Sequence, residues 1–194
     1  MAGDLSWMHE RYSQLEEQAL LWQPPTLEGA NQARCMMDGK PTIMLSANNY
    51  LNLTTHPKVI EATIEATRKY GAGSGSVRAI AGTMDIHLDA ERKVAQFKRV
   101  ESSLIYSAGY TANVGLIPTL VQGKQDVIIS DELNHASLIQ GIKNSKSECK
   151  IFKHNNLEDL ESLLKGTDPS RPKLIVFESL YSMDGTITEV DKYV

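Results

Sequence analysis

Apolar side chains recur at Leu5, Met8, Tyr12, Leu15, Ala19 and Trp22, close to a helical period, and the pattern stops at Pro24-Pro25. The spacing predicts an amphipathic arm over residues 5–22, of the kind that packs on a partner subunit or on its own domain. Asp38-Gly39 reads as a hairpin turn before a short strand, Thr42–Leu45. His56-Pro57 opens a helix through about Tyr70, with Val59, Ile60, Ile64 and Thr67 on one face. Gly71 is its expected stop, and Gly71–Ser76 is a loop that ends at Arg78.

Beyond Thr83 strands and helices alternate. A helix over about residues 84–97 precedes a strand, Ser103–Tyr106, and a glycine turn, Ala108-Gly109-Tyr110, leads into a helix from Thr111 to about Leu120. Asp126–Ser130 and Lys150–Phe152 read as strands, with a helix between them over Ala136–Ile142. Asn156 caps a helix with Leu157, Leu160 and Leu164 on one face, and Lys173–Phe177 is a final apolar strand. Strands separated by helices of this length predict an α/β fold, with a mostly parallel sheet covered on both faces. The division expected is a helical arm with short strands over 1–45, then one α/β domain over 46–194.

Composition narrows the class. The 194 residues carry a formal net charge of −4 with 41% hydrophobic and 23% charged residues, which excludes a disordered chain and a strongly basic nucleic-acid binder. Cys35 and Cys149 make no disulfide framework, and no Cys-x-x-Cys or paired histidine spacing points to a metal. No apolar run approaches the roughly 20 residues of a membrane helix, and no secretory signal pattern opens the chain. A soluble cytoplasmic protein, with neither nucleic acid nor membrane as partner, is the expectation.

In open α/β sheets ligands collect beyond the carboxyl ends of strands, and three such ends here are polar: Ser107–Tyr110, Ser130–His135 and Glu178–Gly185. A glycine between strand and helix, as at Gly109-Tyr110, lets backbone N–H groups approach a phosphate, although an ordinary strand-to-helix turn has the same look. His135 can stack on a flat ring, act as acid or base, or bind metal, or it can be structural. Glu132-x-x-His135 has a metal-ligand spacing but no second ligand set. The other histidines, His9, His56, His87 and His154, read as structural. Ser182 follows the last strand and can bond a ligand or belong to a turn. There is no P-loop, no dinucleotide fingerprint at Gly71–Gly75 and no serine-hydrolase elbow.

Seven motifs in order carry a resemblance: Ala47-Asn-Asn-Tyr-Leu51, His56-Pro57, Tyr70-Gly-Ala-Gly-Ser-Gly-Ser-Val-Arg78, Ala81-Gly-Thr83, Ser107-Ala-Gly-Tyr-Thr-Ala-Asn113, Ser130-Asp-Glu-Leu-Asn-His-Ala-Ser137 and Tyr181-Ser-Met-Asp-Gly185. From about residue 40 onward the chain resembles the α-oxoamine synthases, pyridoxal-phosphate enzymes of fold type I. That family includes glycine C-acetyltransferase, 8-amino-7-oxononanoate synthase, 5-aminolevulinate synthase and serine palmitoyltransferase. Asn52 departs from the glycine usual after Asn-Tyr-Leu. The resemblance implies the large cofactor-binding domain and a pyridoxal 5'-phosphate held by Gly109 and Tyr110 through its phosphate. It implies His135 against the pyridine ring, Ser182 bonding the cofactor, and Asn48 contacting the amino-acid carboxylate. The implied reaction condenses an amino acid, glycine favoured, with an acyl-CoA, in a homodimer.

The family's cofactor-pairing aspartate and Schiff-base lysine have no matching positions, and Lys192 falls too early for the lysine. The resemblance therefore implies the N-terminal half of a longer or split enzyme, inactive alone and completed by a second segment or chain. A non-catalytic subunit and a class I/II aminotransferase are the alternatives.

Overall fold

The structure, a computed structural model, describes residues 4–193. The chain divides at Met84 and Asp85 into two compact units. The boundary that the sequence places after residue 45 falls inside the first of them.

In the first unit the arm is helix α1, Ser6–Glu17, shorter than its apolar pattern. An antiparallel sheet follows in the order β1-β2-β3, from Leu27–Glu28, Arg34–Met37 and Lys40–Ile43. Met37 pairs with Lys40, so Asp38 and Gly39 form the two-residue turn, and both have positive φ (48° and 71°) as a right-twisted hairpin requires. The Asp38 carboxylate accepts the Thr26 N–H at 2.9 Å, which ties the turn to the start of β1.

Helix α2 spans Pro57–Tyr70, as the pattern predicts. His56 Nδ1 caps it by accepting from the Lys58 N–H, and Gly71 ends it at a φ of 81°. Asn52 sits in the left-handed region at φ 50°. That explains the departure from glycine there, because asparagine tolerates this conformation better than any other residue with a side chain of its size. Neither α1 nor α2 buries a residue. Gly82, which ends a π-helical turn over Arg78–Gly82, is buried, and a Cβ there would lie 1.9 Å from the Ser76 carbonyl oxygen.

The second unit is built on a parallel sheet in the order β5-β4-β6, from Glu148–Phe152, Val127–Asp131 and Lys173–Val176. The central strand β4 is buried along its whole length. Its side chains alternate between two cores. Ile128 packs with Ile117, Val121, Ile142 and Val176 beneath helices α4 (Gly109–Leu120) and α5 (Ala136–Ser145). Val127 and Ile129 pack with Phe152 and Leu160 beneath helix α6 (Leu157–Lys165). Full burial of each such side chain contributes about 1.5–3 kcal/mol. Asn156 caps α6 by accepting the Asp159 N–H at 2.9 Å, as its position predicts. Among the described residues no helix is long and apolar enough to cross a membrane.

One expected strand does not form. Residues 103–106 join no ladder among the described residues. They lie instead along helix α3 (Asp85–Lys98), where the Glu91 carboxylate accepts the Ile105 N–H at 3.0 Å and the Glu91 carbonyl accepts the Ser103 hydroxyl at 2.7 Å. The apolar pattern there is that of a strand, but these residues take their hydrogen bonds from α3 and not from the outer edge of β5 or β6.

The contact between α4 and α5 depends on Gly141. A Cβ at that position would lie 2.5 Å from the Asn113 carbonyl oxygen and 3.0 Å from Ile117 Cδ1. Gly141→Ala should therefore force the two helices apart and destabilise the protein by about 1–3 kcal/mol, read as a lower midpoint in urea unfolding.

Candidate active site

Parallel register decides where the loops emerge. Asp131 pairs with Phe152 and Ser130 with Val176, so the segments after β4, β5 and β6 leave the sheet at one level. Residues 131–135, 153–155 and 177–188 therefore share one edge, the edge at which open α/β folds bind ligands.

Helix α4 meets this edge with its N-terminus. Its cap, Ala108, has no side-chain acceptor, and Thr111 bonds back to Ala108 through both N–H and carbonyl. Among the described residues nothing accepts from the backbone N–H groups of Gly109, Tyr110 or Thr111. The start of α4 thus offers free donors and the positive end of the helix dipole. A Cβ built on Gly109 would meet open space.

His135 caps α5. Its Nδ1 accepts the Ser137 N–H at 3.1 Å and lies 2.7 Å from the Ser137 hydroxyl. Asn113, one turn into α4, donates to that hydroxyl at 3.0 Å. The ring is thereby tied to the helix that carries Gly109 and Tyr110, while the residue itself remains exposed. The His135 N–H donates to the Glu178 carboxylate, joining the end of β4 to the end of β6. Asn134 is buried beneath it and donates to Ser130 Oγ at 2.9 Å and to the Val176 carbonyl at 2.8 Å. Its Oδ1 has no partner among the described residues.

A second histidine organises the other side of this edge. His154 Nδ1 lies 3.0 Å from the Asp131 carboxylate, whose side chain is wholly buried. The same carboxylate accepts the Leu133 N–H at 2.8 Å and the Asn155 N–H at 3.1 Å. His154 Nε2 lies 2.8 Å from the Thr186 hydroxyl, and the Tyr181 ring meets the imidazole edge-on at 4.4 Å. Thr186 and Tyr181 belong to a small hairpin closed by Tyr181 N–H to Thr186 O and Thr188 N–H to Ser179 O. The exposed Ser182 lies in its turn.

Of the residues anticipated, Gly109, Tyr110, His135 and the base of the Ser182 hairpin are brought to one edge. Asn48 lies in the first unit, exposed and without a described hydrogen bond, beside Asn49, which holds its loop by donating to Asn31 O at 2.8 Å and Thr54 Oγ1 at 2.7 Å. Lys192 ion-pairs with Glu189 on the surface. Sequence reasoning assigned His154 a merely structural place and did not single out Asp131, Asn113 or Ser137. The available signal was the polar run after each strand, which marks the edge but not the pairing across it.

The parallel sheet sandwiched by helices, with its polar strand ends on one edge, is the fold of a fold-type-I pyridoxal-phosphate transferase domain. Residues 40–194 match the aminotransferase class I and II family, and the chain belongs to it, on the α-oxoamine synthase branch. It is 45% identical over 192 residues to the 8-amino-7-oxononanoate synthase of Thermoanaerobacter pseudethanolicus, a match covering 98% of this chain and 48% of that protein. The enzyme of that name from Symbiobacterium thermophilum is 47% identical over 173 residues, 88% of this chain and 44% of its own. Among solved structures, the serine palmitoyltransferase of S. paucimobilis with bound PLP–myriocin aldimine superposes with a TM-score of 0.86 at 31% identity, covering 98% of this chain and 50% of that one. The chain spans about half the length of the curated relatives it matches.

Removing the buried Asp131 carboxylate leaves the Leu133 and Asn155 N–H groups and His154 Nδ1 without their acceptor. Asp131→Ala should destabilise the protein by about 1–3 kcal/mol in urea unfolding, and Asp131→Asn, which keeps an acceptor, by less. Burial pushes the Tyr181 phenol up to about 12, against an N–H bond from Glu178 that favours the phenolate, with the Asp131 and Glu178 carboxylates adding to the rise. The folded state therefore keeps this proton where the unfolded chain loses it. Stability should fall as pH rises from about 10 to about 12, and ultraviolet titration should show a late phenolate component that Tyr181→Phe removes.

Proposed function

We propose that this chain supplies the phosphate- and ring-binding part of a pyridoxal-phosphate-dependent acyltransferase that joins an amino acid to an acyl-CoA. One observation carries the reading. The free N–H groups at the start of α4 are tied, through Asn113 and Ser137, to an exposed and oriented imidazole on the adjoining strand end. That donor set fits a phosphate joined to a flat ring, because helix N-termini bind phosphates and an imidazole face stacks on an aromatic one.

In this reading the N–H groups of Gly109 and Tyr110 hold the phosphate, the His135 ring lies against the pyridine ring, and the Ser182 hydroxyl bonds the cofactor. Asn48 contacts the substrate carboxylate. Ser137 keeps the His135 ring from turning away, and Glu178 holds the His135 backbone. When bound, the cofactor supplies an electron sink for bond-breaking at the amino-acid α-carbon. The sink still needs a Schiff-base lysine and an aspartate for the pyridine nitrogen, which a continuing or companion segment provides. The 194 residues alone are inactive, and the working form is a cytoplasmic homodimer.

The relatives' product favours particular substrates. In 8-amino-7-oxononanoate the amine stands on C8, between a terminal methyl and the C7 ketone. A bond between C7 and C8 formed from an amino acid and a thioester calls for alanine and a seven-carbon acyl group ending in a carboxylate. Alanine's carboxylate leaves as carbon dioxide and the CoA thiol leaves the acyl carbon. Glycine, favoured by the sequence motifs, would leave out the methyl group, so the preference moves to alanine.

The intact protein, with its continuing or companion segment, should change the absorbance of added pyridoxal phosphate and release CoA from the seven-carbon thioester with alanine. His135→Ala should weaken cofactor binding about tenfold or more, equivalent to roughly 1.4 kcal/mol. Release with glycine and acetyl-CoA would move the assignment to a glycine acyltransferase, and amino transfer without CoA release to an aminotransferase. No absorbance change together with no CoA release would end it.

A further inference from the structure

The two nitrogens of His135 are not equivalent, and their surroundings decide which one carries hydrogen. A backbone N–H can only donate. The Ser137 N–H lies 3.1 Å from His135 Nδ1, so Nδ1 must offer its lone pair. The Ser137 hydroxyl is 2.7 Å from the same nitrogen. Its oxygen is already engaged from the other side by the Asn113 amide at 3.0 Å, which turns the hydroxyl hydrogen toward Nδ1. Ser137 is 1% exposed, so solvent does not compete for these bonds. The opposite arrangement, with hydrogen on Nδ1, would set an N–H against an N–H and leave the hydroxyl hydrogen buried without an acceptor.

We infer that Ser137 and Asn113 are positioning residues that lock neutral His135 as the tautomer with hydrogen on Nε2 and fix the plane of its ring. The ring then presents a donor, not a lone pair, on its free side. Whatever group meets Nε2 is an acceptor oxygen, a carboxylate or a ring oxygenate, and neutral His135 does not abstract a proton there. Of the roles open to this histidine on sequence, the geometry removes that of base at Nε2 and leaves donation from it. Because Nδ1 also caps α5, the ring cannot rotate without uncapping the helix. The consequence for cofactor binding rests on the function proposed above. The tautomer does not.

The test is ¹⁵N nuclear magnetic resonance of the histidine rings in the intact protein, with the His135 signals assigned by their loss in His135→Gln. The expected result is an unprotonated Nδ1 and a protonated Nε2, both without ligand and with pyridoxal phosphate added. Ser137→Ala should draw the two shifts toward each other and weaken pyridoxal phosphate binding roughly threefold to tenfold. Ser137→Thr, which keeps the hydroxyl, should restore both. Asn113→Ala should move the shifts in the same direction by less, and it decides the matter if Ser137→Ala fails to fold. A protonated Nδ1 in the unaltered protein would overturn the inference. Unchanged shifts in a folded Ser137→Ala would leave the lock to the Ser137 N–H alone and overturn the positioning role of the hydroxyl and of Asn113. The expected shifts without any cofactor binding would support the tautomer lock and count against the cofactor reading.

Discussion

The second unit depends on burying one strand from both sides. β4 sends Ile128 toward α4 and α5, and Val127 and Ile129 toward α6, and it pairs in parallel with β5 and β6. A strand so placed cannot slip by one residue, because every side chain would then face the wrong core. That constraint sets the level at which Asp131, Lys153 and Phe177 leave the sheet, and hence the level of the three loops that make the site. The site's geometry is inherited from the core.

Two histidines on this edge have opposite assignments. His135 Nδ1 faces donors, and His154 Nδ1 faces the Asp131 carboxylate. His154 therefore holds hydrogen on Nδ1 and takes the Thr186 hydroxyl at Nε2, which fastens the hairpin bearing Ser182. One ring is spent on holding the protein together. The other is fastened by a single nitrogen, and its second has no partner among the described residues. Buried polar groups of this kind serve only when each member is satisfied, and Asn134 Oδ1, without a partner among the described residues, is the exception at this edge.

The first unit obeys different economics. Its hairpin is fastened by polar groups, with the Asp38 and Glu28 carboxylates each accepting a backbone N–H across the turn. Its helices keep their apolar faces outside any core: Trp7, Met8, Val59 and Ile60 are among their exposed residues. A short three-stranded ladder has too little surface to cover them.

The local elements were legible because they rest on local physics. Pro57 and Gly71 bound α2, Asn156 caps α6, and Asp38-Gly39 can make only a hairpin turn. The apolar run at residues 103–106 reports what a strand could bury and not which partner takes its hydrogen bonds, and here Glu91 of α3 takes them. The motifs likewise marked His135 and Ser182, which follow β4 and β6, and Gly109 and Tyr110, which open α4. What the sequence by itself determined was the order of elements and the chemistry available at their ends. Tertiary structure alone decided that Asn113 reaches Ser137 across 24 positions, that Glu178 meets His135 across 43 and that Asp131 claims His154 across 23. Such pairings arise from strand order and helix packing, and a hydrogen bond between distant residues leaves no periodicity along the chain.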